Sequence, residues 1–419
     1  MSEIAERTAS LTALETHTLV IPTYNRPELL ERLVAFYAEA TPQMSLLVLD
    51  SSEPATAQAN AGMIARRAAS ARHIAFPTTL PMAEKLALGL GEVETLTASF
   101  CADDDIVFPE GLASAVTFLA GNPDYVSAHG VYLNFREDGA NVHLHVEYSG
   151  PGIEADHPGA RIFKLMQGYE SLFYGAFRAS DLRDIFAETG KIPSLHYQEL
   201  MQSVAALIKG KVKRFDGFYA GRRSGPEAEP GRTRWQTYYW FADDAAEFVN
   251  HYVDYRERAW GYYQRQVANR PDLALAKAEF DRMMNITHAL YFSKTCPPSY
   301  FYSRLEHLWP NDKLAGDVQG IVSQRTPLGF GWVAKNIVRI GKGLNRRLRG
   351  VQPSRLAPLI NLYGSIARRK VTKLDREVTR NTRKAWKAEM EIDWVWLAGD
   401  PGFRKAYTEL CRYLDGPGD

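Results

Sequence analysis

The chain has 419 residues, 45% hydrophobic and 24% charged, which excludes disorder as a default and leaves room for two or three domains. A net charge of +1 singles out no partner for the chain as a whole. Three cysteines, Cys101, Cys296 and Cys411, lack any short ligand spacing, which argues against a disulfide framework or a zinc site and fits a reducing compartment.

Residues 1–16 read as an N-terminal extension without the basic start and apolar run of a secretory signal, and no stretch reaches roughly 18 uninterrupted apolar residues. A cytoplasmic protein is expected, soluble or peripheral at the inner face of the plasma membrane. Thr18 to Ile21 is a β-branched strand candidate, and Pro27 then takes a first helical position and opens an amphipathic stretch to Ala40. Ser45 to Leu49 is a second strand ending in Asp50, and an Ala-rich helix follows. His73 to Phe76 is a third strand, Met82 to Leu90 a helix closed by Gly91, and Thr95 to Cys101 a fourth strand. Pro109 to Leu119 is a helix ended by Gly121-Asn122-Pro123, Tyr125 to Phe135 is another strand, and Lys211 to Phe215 is strand-like before a turn at Asp216.

Strands alternating with helices predict an α/β fold: a mostly parallel sheet with flanking helices. In such sheets ligands bind beyond the carboxyl ends of the strands. Polar clusters fall at those ends: Tyr24-Asn25-Arg26 after the first strand, Asp50-Ser51-Ser52 after the second, and Asp103-Asp104-Asp105 after the fourth. From about residue 240 the periodicity becomes helical, over Asp243 to Ala268 and Leu273 to Phe292. The expected organisation is therefore an extension over 1–16, an α/β domain over 17–235 and a mostly helical C-terminal region over 236–419. Gly221 to Gly231 is the most loop-like stretch, and it carries Arg222 and Arg223.

Three adjacent aspartates need a partner. Two carboxylates about 4 Å apart repel by roughly 4 kcal/mol at an effective dielectric near 20, and a divalent cation reverses that sign. Oxygen ligands suit Mg²⁺ or Mn²⁺ shared with substrate phosphates. In an extended segment Asp103 and Asp105 face the same way and offer two ligands on one side. The competing reading makes the triplet a turn and cap before the Pro109 helix.

The runs Leu19-Val20-Ile21-Pro22-Thr23-Tyr24-Asn25-Arg26-Pro27, Val48-Leu49-Asp50-Ser51-Ser52 and Ala102-Asp103-Asp104-Asp105 stand in the order and approximate spacing of family 2 glycosyltransferases with the GT-A fold, which residues 17–225 resemble. The resemblance implies that Pro22, Thr23, Tyr24, Asn25 and Arg26 line a nucleotide pocket and that Asp50 accepts a hydrogen bond from the base or ribose. It implies further that Asp103 and Asp105 are the outer members of a DXD metal motif, with Asp103 and Asp104 beside the donor. Lys85 stands where related sequences often carry a lysine, against a reading as a solvated helix charge. Glu199, in His196-Tyr197-Gln198-Glu199-Leu200, matches the position of the carboxylate base of inverting members. Gln198 departs from the family's acidic pair, and a first-turn glutamate favoured by the helix dipole is the competing reading of Glu199. Arg222 and Arg223 would close over the diphosphate or remain solvated loop charges. His129, His143 and His145 form no ligand cluster.

Residues 335–387 are crowded with lysine and arginine, and in Trp332 to Leu348 apolar residues recur at three- and four-residue steps. A basic amphipathic helix of this kind suits an anionic membrane surface, so residues 332–387 are a candidate membrane contact, or a solvated face of a packed helix. Nucleic acid is disfavoured because aromatics are not interleaved among the charges. The expected activity is a metal-dependent, inverting transfer of a sugar from a nucleotide-sugar donor, UDP-linked, to a hydroxyl of a surface-glycan or lipid-linked glycan acceptor. The alternatives are a nucleotidyltransferase, which would want a Gly-rich loop where Pro22 to Pro27 has none, and a non-catalytic glycan- or membrane-binding protein.

Overall fold

The computed structural model describes residues 12–138, 141–224, 245–292 and 401–416. The basic segment over 332–387 and the Gly/Pro-rich stretch beyond Ser224 lie outside the described residues. The chain divides into two units, Met1–Glu229 with Glu257–Leu275 and Asp393–Asp419, and Pro230–Arg256 with Ala276–Ile392.

In the first unit, β1 (His17–Thr23) is buried along its whole length. A near-continuous apolar run of this kind is what a strand covered on both faces requires. α1 (Pro27–Ala40) opens on a proline at its first position, where a missing N–H costs nothing, and buries Leu30, Leu33, Val34, Phe36 and Tyr37 at helical spacing. β2 (Ser45–Asp50), α2 (Pro54–Arg67), β3 (Ala71–Ala75), α3 (Met82–Leu90) and β4 (Thr97–Phe100) continue the alternation. β5 (Ile106–Val107), α4 (Pro109–Gly121), β6 (Tyr125–Asp138), β7 (Asn141–Tyr148), α5 (Pro158–Gln167), β8 (Ala176–Arg178), α6 (Ala179–Thr189), α7 (Leu195–Lys209) and β9 (Lys211–Arg223) follow.

The strands form one 9-stranded sheet in the order β3-β2-β1-β4-β8-β6-β9-β5, with β7 paired to β6. β1, β2, β3, β4, β6 and β9 point one way and β5, β7 and β8 the other, so the sheet is mostly parallel, as expected. Strand order runs outward from β1 through β2 to β3, and then returns to place β4 on the other side of β1. The carboxyl ends of β1 and β4 therefore flank a topological switch point, where open α/β sheets bind ligands.

One polar and one steric feature fix this frame. His17 is fully buried, with Nδ1 and Nε2 each 2.9 Å from a hydroxyl, Thr97 Oγ1 and Ser99 Oγ. Burial pulls its pKa down to about 3, so the ring stays neutral. Gly130 of β6 lies so close to β9 that a Cβ there would sit 2.2 Å from the Gly217 carbonyl oxygen and 3.0 Å from Tyr219 Cβ. Because the obstacle is backbone, Gly130→Ala is expected to destabilise the protein by about 1–3 kcal/mol, read as a lower denaturation midpoint. A midpoint equal to the parent's would reject this tight β6–β9 spacing.

The structure corrects the loop reading around Arg222. β9 continues through Arg222 and Arg223, which pair with Asn134 and Phe135 of β6, so neither arginine sits on a free loop in the described residues. Asp216 lies inside β9 instead of in a turn after it, where the β6–β9 register shifts between the His129–Arg214 and Val131–Phe218 pairs.

The expected helical periodicity after residue 240 appears as α8 (Ala245–Val267) and α9 (Lys277–Phe292). Within the second unit, the Tyr252 hydroxyl donates to Asn285 Oδ1 at 2.7 Å, Tyr255 Oη meets His288 Nε2 at 2.8 Å and Arg256 pairs with Asp281 at 3.2 Å. α10 (Pro401–Asp415) belongs to the first unit and packs on α1 and β9. Among the described residues no helix is long and apolar enough to cross a membrane.

Candidate functional site

The chain leaves β1 at Thr23 and turns through Asn25, whose φ of 53° is left-handed, a conformation asparagine tolerates better than most residues. Its amide donates to Ser52 Oγ at 2.7 Å, and its Oδ1 accepts the Glu53 amide at 2.9 Å. The loop after β1 is thereby tied to the loop after β2, and Tyr24 is left 51% exposed at the rim.

Asp50, at the end of β2, is fully buried. Its carboxylate accepts the Ser52 amide at 2.8 Å, Asn60 Nδ2 at 2.8 Å and His73 Nε2 at 3.0 Å. Burial alone would raise its pKa, but these hydrogen bonds outweigh it and hold the carboxyl well below the usual range. The group read as a nucleotide contact is thus already engaged by three internal donors, one of them His73 of the edge strand β3. Lys85 of α3 is buried, not a solvated helix charge. Its Nζ donates to Ser51 Oγ at 2.8 Å and to the Thr23 carbonyl oxygen at 3.1 Å. Burial lowers its pKa while the charges of Asp50 and Asp103 oppose the shift.

The acidic triplet follows β4 as a turn, with the Asp105 amide donating to the Ala102 carbonyl oxygen at 3.1 Å. The strand alternation expected to aim Asp103 and Asp105 together therefore does not apply. Asp103 accepts the Thr23 hydroxyl at 2.7 Å and Arg26 Nη1 at 3.1 Å, and the same Nη1 is 3.1 Å from Asp104 Oδ2. Asp105 accepts the Tyr174 hydroxyl on one oxygen and the Arg223 amide on the other at 2.7 Å. Burial pushes Asp103 up to about 6, with Asp104 adding to the shift and Thr23 and Arg26 opposing it. Asp105 is pushed up to about 7 by burial and by Asp104, against Arg222, Tyr174 and the Arg223 amide.

A second group of side chains lies around Arg222. Its Nη1 reaches Tyr148 Oη at 3.2 Å and Glu147 Oε1 at 3.5 Å, and its guanidinium lies 5.7 Å from the Tyr148 ring centroid. Its charge acts on both Asp105 and Glu199. Glu199 accepts the Tyr169 hydroxyl at 3.2 Å. Burial raises its pKa, and Arg222, Tyr169 and Ser171 oppose the shift. α7 begins at Leu195, so Glu199 lies beyond the first turn, where the dipole reading has little force. Gln198, standing where the resemblance implied an acid, donates to the Ile192 carbonyl oxygen at 2.6 Å.

Hard oxygen donors at the end of β4 suit a divalent cation such as Mg²⁺ or Mn²⁺, which needs only one or two carboxylates when phosphate completes its shell. The fit is best at Asp103 and Asp104, whose oxygens converge on the guanidinium of Arg26, a positive charge already held between them. Asp103 and Asp105 both have their two oxygens engaged, but only Asp103 shares a cation, Arg26, with Asp104, so Asp105 fits less directly. Among the described residues no group of three or more His, Cys, Asp or Glu side chains is arranged to hold a metal, and His129 is buried in β6.

Sequence reasoning missed Tyr174, Tyr148, Tyr169, His73 and Asn60. The three tyrosines come from β7 and from the loop after α5, where no periodic signal marks them, and they meet Asp105, Glu199 and Arg222 only through non-local pairing.

No family model and no curated protein matches this chain. Among solved structures it is similar to residues 1–349 of Staphylococcus aureus TarS in complex with UDP, at 14% identity and a TM-score of 0.42, over 87% of this chain and 91% of that one. The same region of TarS in complex with UDP-GlcNAc matches at 15% identity and a TM-score of 0.42, over 87% and 92%. Against the longer TarS structure the identity is 13% and the TM-score 0.40, covering 84% of this chain and 53% of that one, so this chain spans about half its length. Identity and TM-score at this level establish neither family nor activity.

Proposed function

We propose that the chain is a glycosyltransferase that moves a sugar from a nucleotide-linked donor, UDP-linked, to a hydroxyl of a surface-glycan or lipid-linked glycan acceptor, with inversion at the anomeric carbon. One observation carries the reading. At the switch point between β1 and β4, Thr23, Arg26, Asp103 and Asp104 form one hydrogen-bonded network, with Lys85 held beside it by Thr23 and Ser51. A nucleoside diphosphate is the ligand class that such a crevice, with cations and an exposed tyrosine at its rim, is suited to hold.

In this reading Tyr24 stacks on the base, and Lys85 and Arg26 attract the phosphates. A divalent cation held by Asp103 and Asp104, when bound, would neutralise the charge that develops on the departing diphosphate. Asp105, the other carboxylate of the expected ligand pair, would have to exchange Tyr174 or the Arg223 amide for that ion. Glu199 accepts the proton of the acceptor hydroxyl, and its raised pKa strengthens it as a base. Arg222, whose charge reaches both Glu199 and Asp105, keeps a base and a diphosphate side in one electrostatic field. The basic segment over 332–387 would bring the enzyme to an anionic membrane carrying the acceptor.

Slow release of UDP from a UDP-sugar, faster with Mn²⁺, is the expected result for the purified chain. Glu199→Gln should lower transfer to an acceptor about 10²- to 10⁴-fold while leaving UDP affinity unchanged. No UDP binding at millimolar nucleotide, with or without Mn²⁺, would reject the donor reading, and full transfer by Glu199→Gln would reject the base.

A further inference from the structure

The helix α10 packs against α1 and β9, two elements that hydrogen-bond to the acidic turn and the residues just after it. Its Phe403 ring lies 5.6 Å from that of Phe218 in β9. Tyr413 meets Phe36 of α1 edge-on at 6.0 Å and Phe135 of β6 at 6.3 Å, and Arg32 of α1 lies 5.8 Å over its ring. Ion pairs Lys405–Glu110 and Arg412–Glu39 flank these contacts. Tyr413 is almost fully buried, and its hydroxyl has no hydrogen-bond partner among the described residues. Cys101, Asp105 and Asp104 act on it electrostatically, which puts the ring near the triplet.

From Tyr413 a short path reaches Asp105. Arg32 pairs with Glu137 at 3.5 Å, Glu137 pairs with Arg223 at 3.2 Å, and the Arg223 amide donates to Asp105 Oδ1 at 2.7 Å. On the other side of the turn, the Tyr37 hydroxyl of α1 donates to the Val107 carbonyl oxygen at 2.7 Å and accepts the Val107 amide at 2.9 Å. α1 and β9 thus hold the residues just after the triplet and the carboxylate that ends it, and α10 rests on both.

We propose that Tyr413 is a positioning residue for the acidic turn, and that α10 acts on the donor site indirectly, through α1, β6 and β9, so that its packing sets donor affinity. The link to donor rests on the function proposed above. Because the Tyr413 hydroxyl makes no hydrogen bond to the described residues, the contribution lies with its ring, which sets the spacing of α1 and β6, while Phe403 packs on β9.

Hydrogen exchange and UDP titration calorimetry on the full chain test the proposal. Tyr413→Ala is expected to speed exchange selectively in peptides covering 102–107 and 219–224 and to weaken UDP binding about tenfold, the scale of one indirect coupling. Tyr413→Phe should restore both readouts. The double variant Lys405→Glu/Arg412→Glu, which leaves the buried rings in place and sets like charges against Glu110 and Glu39, should shift both in the same direction as Tyr413→Ala. Exchange that rises evenly across the first unit in Tyr413→Ala, a Phe variant as impaired as the Ala variant, or a folded double variant with parental exchange at the turn would each overturn the proposal. If the parent chain fails to bind UDP, the donor reading falls, while the exchange comparison still decides whether Tyr413 positions the turn.

Discussion

Asp103→Asn is expected to lower UDP-sugar turnover by about three orders of magnitude, or ~4 kcal/mol of transition-state free energy, without unfolding the protein. Asparagine keeps the shape of the side chain and an oxygen to accept the Thr23 hydroxyl, now 2.7 Å from Asp103. What disappears is a buried negative charge that faces Arg26 at the switch point. The fold should tolerate the change because burial already disfavours the ionised form and pushes the carboxyl up to about 6. A carboxyl raised in this way contributes most to stability when protonated at low pH and loses that contribution as pH rises through about 6, so a permanently neutral isostere removes a cost at pH 7. Steady-state UDP release with a thermal midpoint on the same sample checks both halves. Turnover within tenfold of the parent, on a folded variant, would remove Asp103 from the site.

Much of this frame is legible in local pattern. Thr18 to Ile21 and Ser45 to Leu49 are continuous apolar runs because their strands are covered on both faces, and Pro27, Pro54 and Pro109 mark helix starts since only a first-turn position tolerates a missing N–H. β5 and β8 leave no signal, being two and three residues long, too short for any period. β9 is read as ending near Phe215 because Asp216 and Gly217 resemble a turn. Pairing with the long β6 carries the strand past them instead, and so places Arg222 and Arg223 on the sheet.

The candidate site divides along the same line. Thr23, Asn25, Arg26, Asp50 and Asp103 announce themselves by standing at strand ends, which is a local property. The directions of Asp103 and Asp105 depend on whether the backbone between them is extended or turned, and one hydrogen bond from the Asp105 amide to Ala102 decides that. Tyr174 reaches Asp105, Tyr169 reaches Glu199 and Tyr148 reaches Arg222 only across distant parts of the chain, so nothing in their own sequence neighbourhood could reveal them.

Stability of the first unit should change little between about pH 4.5 and 6, because two opposite proton linkages overlap there. His17 is pulled down to about 3 by burial, and His129 to about 4 by burial and the charge of Arg214. An unfolded histidine titrates near pH 6.5, so in this window the unfolded chain holds up to two extra protons at these sites, and acid favours unfolding by about 1.4 kcal/mol per pH unit for each. Asp103 and Asp105 act in the reverse sense: raised to about 6 and about 7, they hold protons in the folded state that the unfolded chain has released, so acid favours folding. These two pairs nearly cancel, and the raised Glu199 is set against the lowered His145 in the same way. Asp103→Asn/Asp105→Asn removes most of one side of the balance and leaves His17 and His129 without their counterweight. Its unfolding free energy in urea, measured without divalent cations, should fall about 2–3 kcal/mol more steeply per unit of acidification than the parent's. Parallel pH profiles for the two proteins would mean that these carboxyls titrate as they do in the unfolded chain, and the buried acidic turn would lose its electrostatic basis.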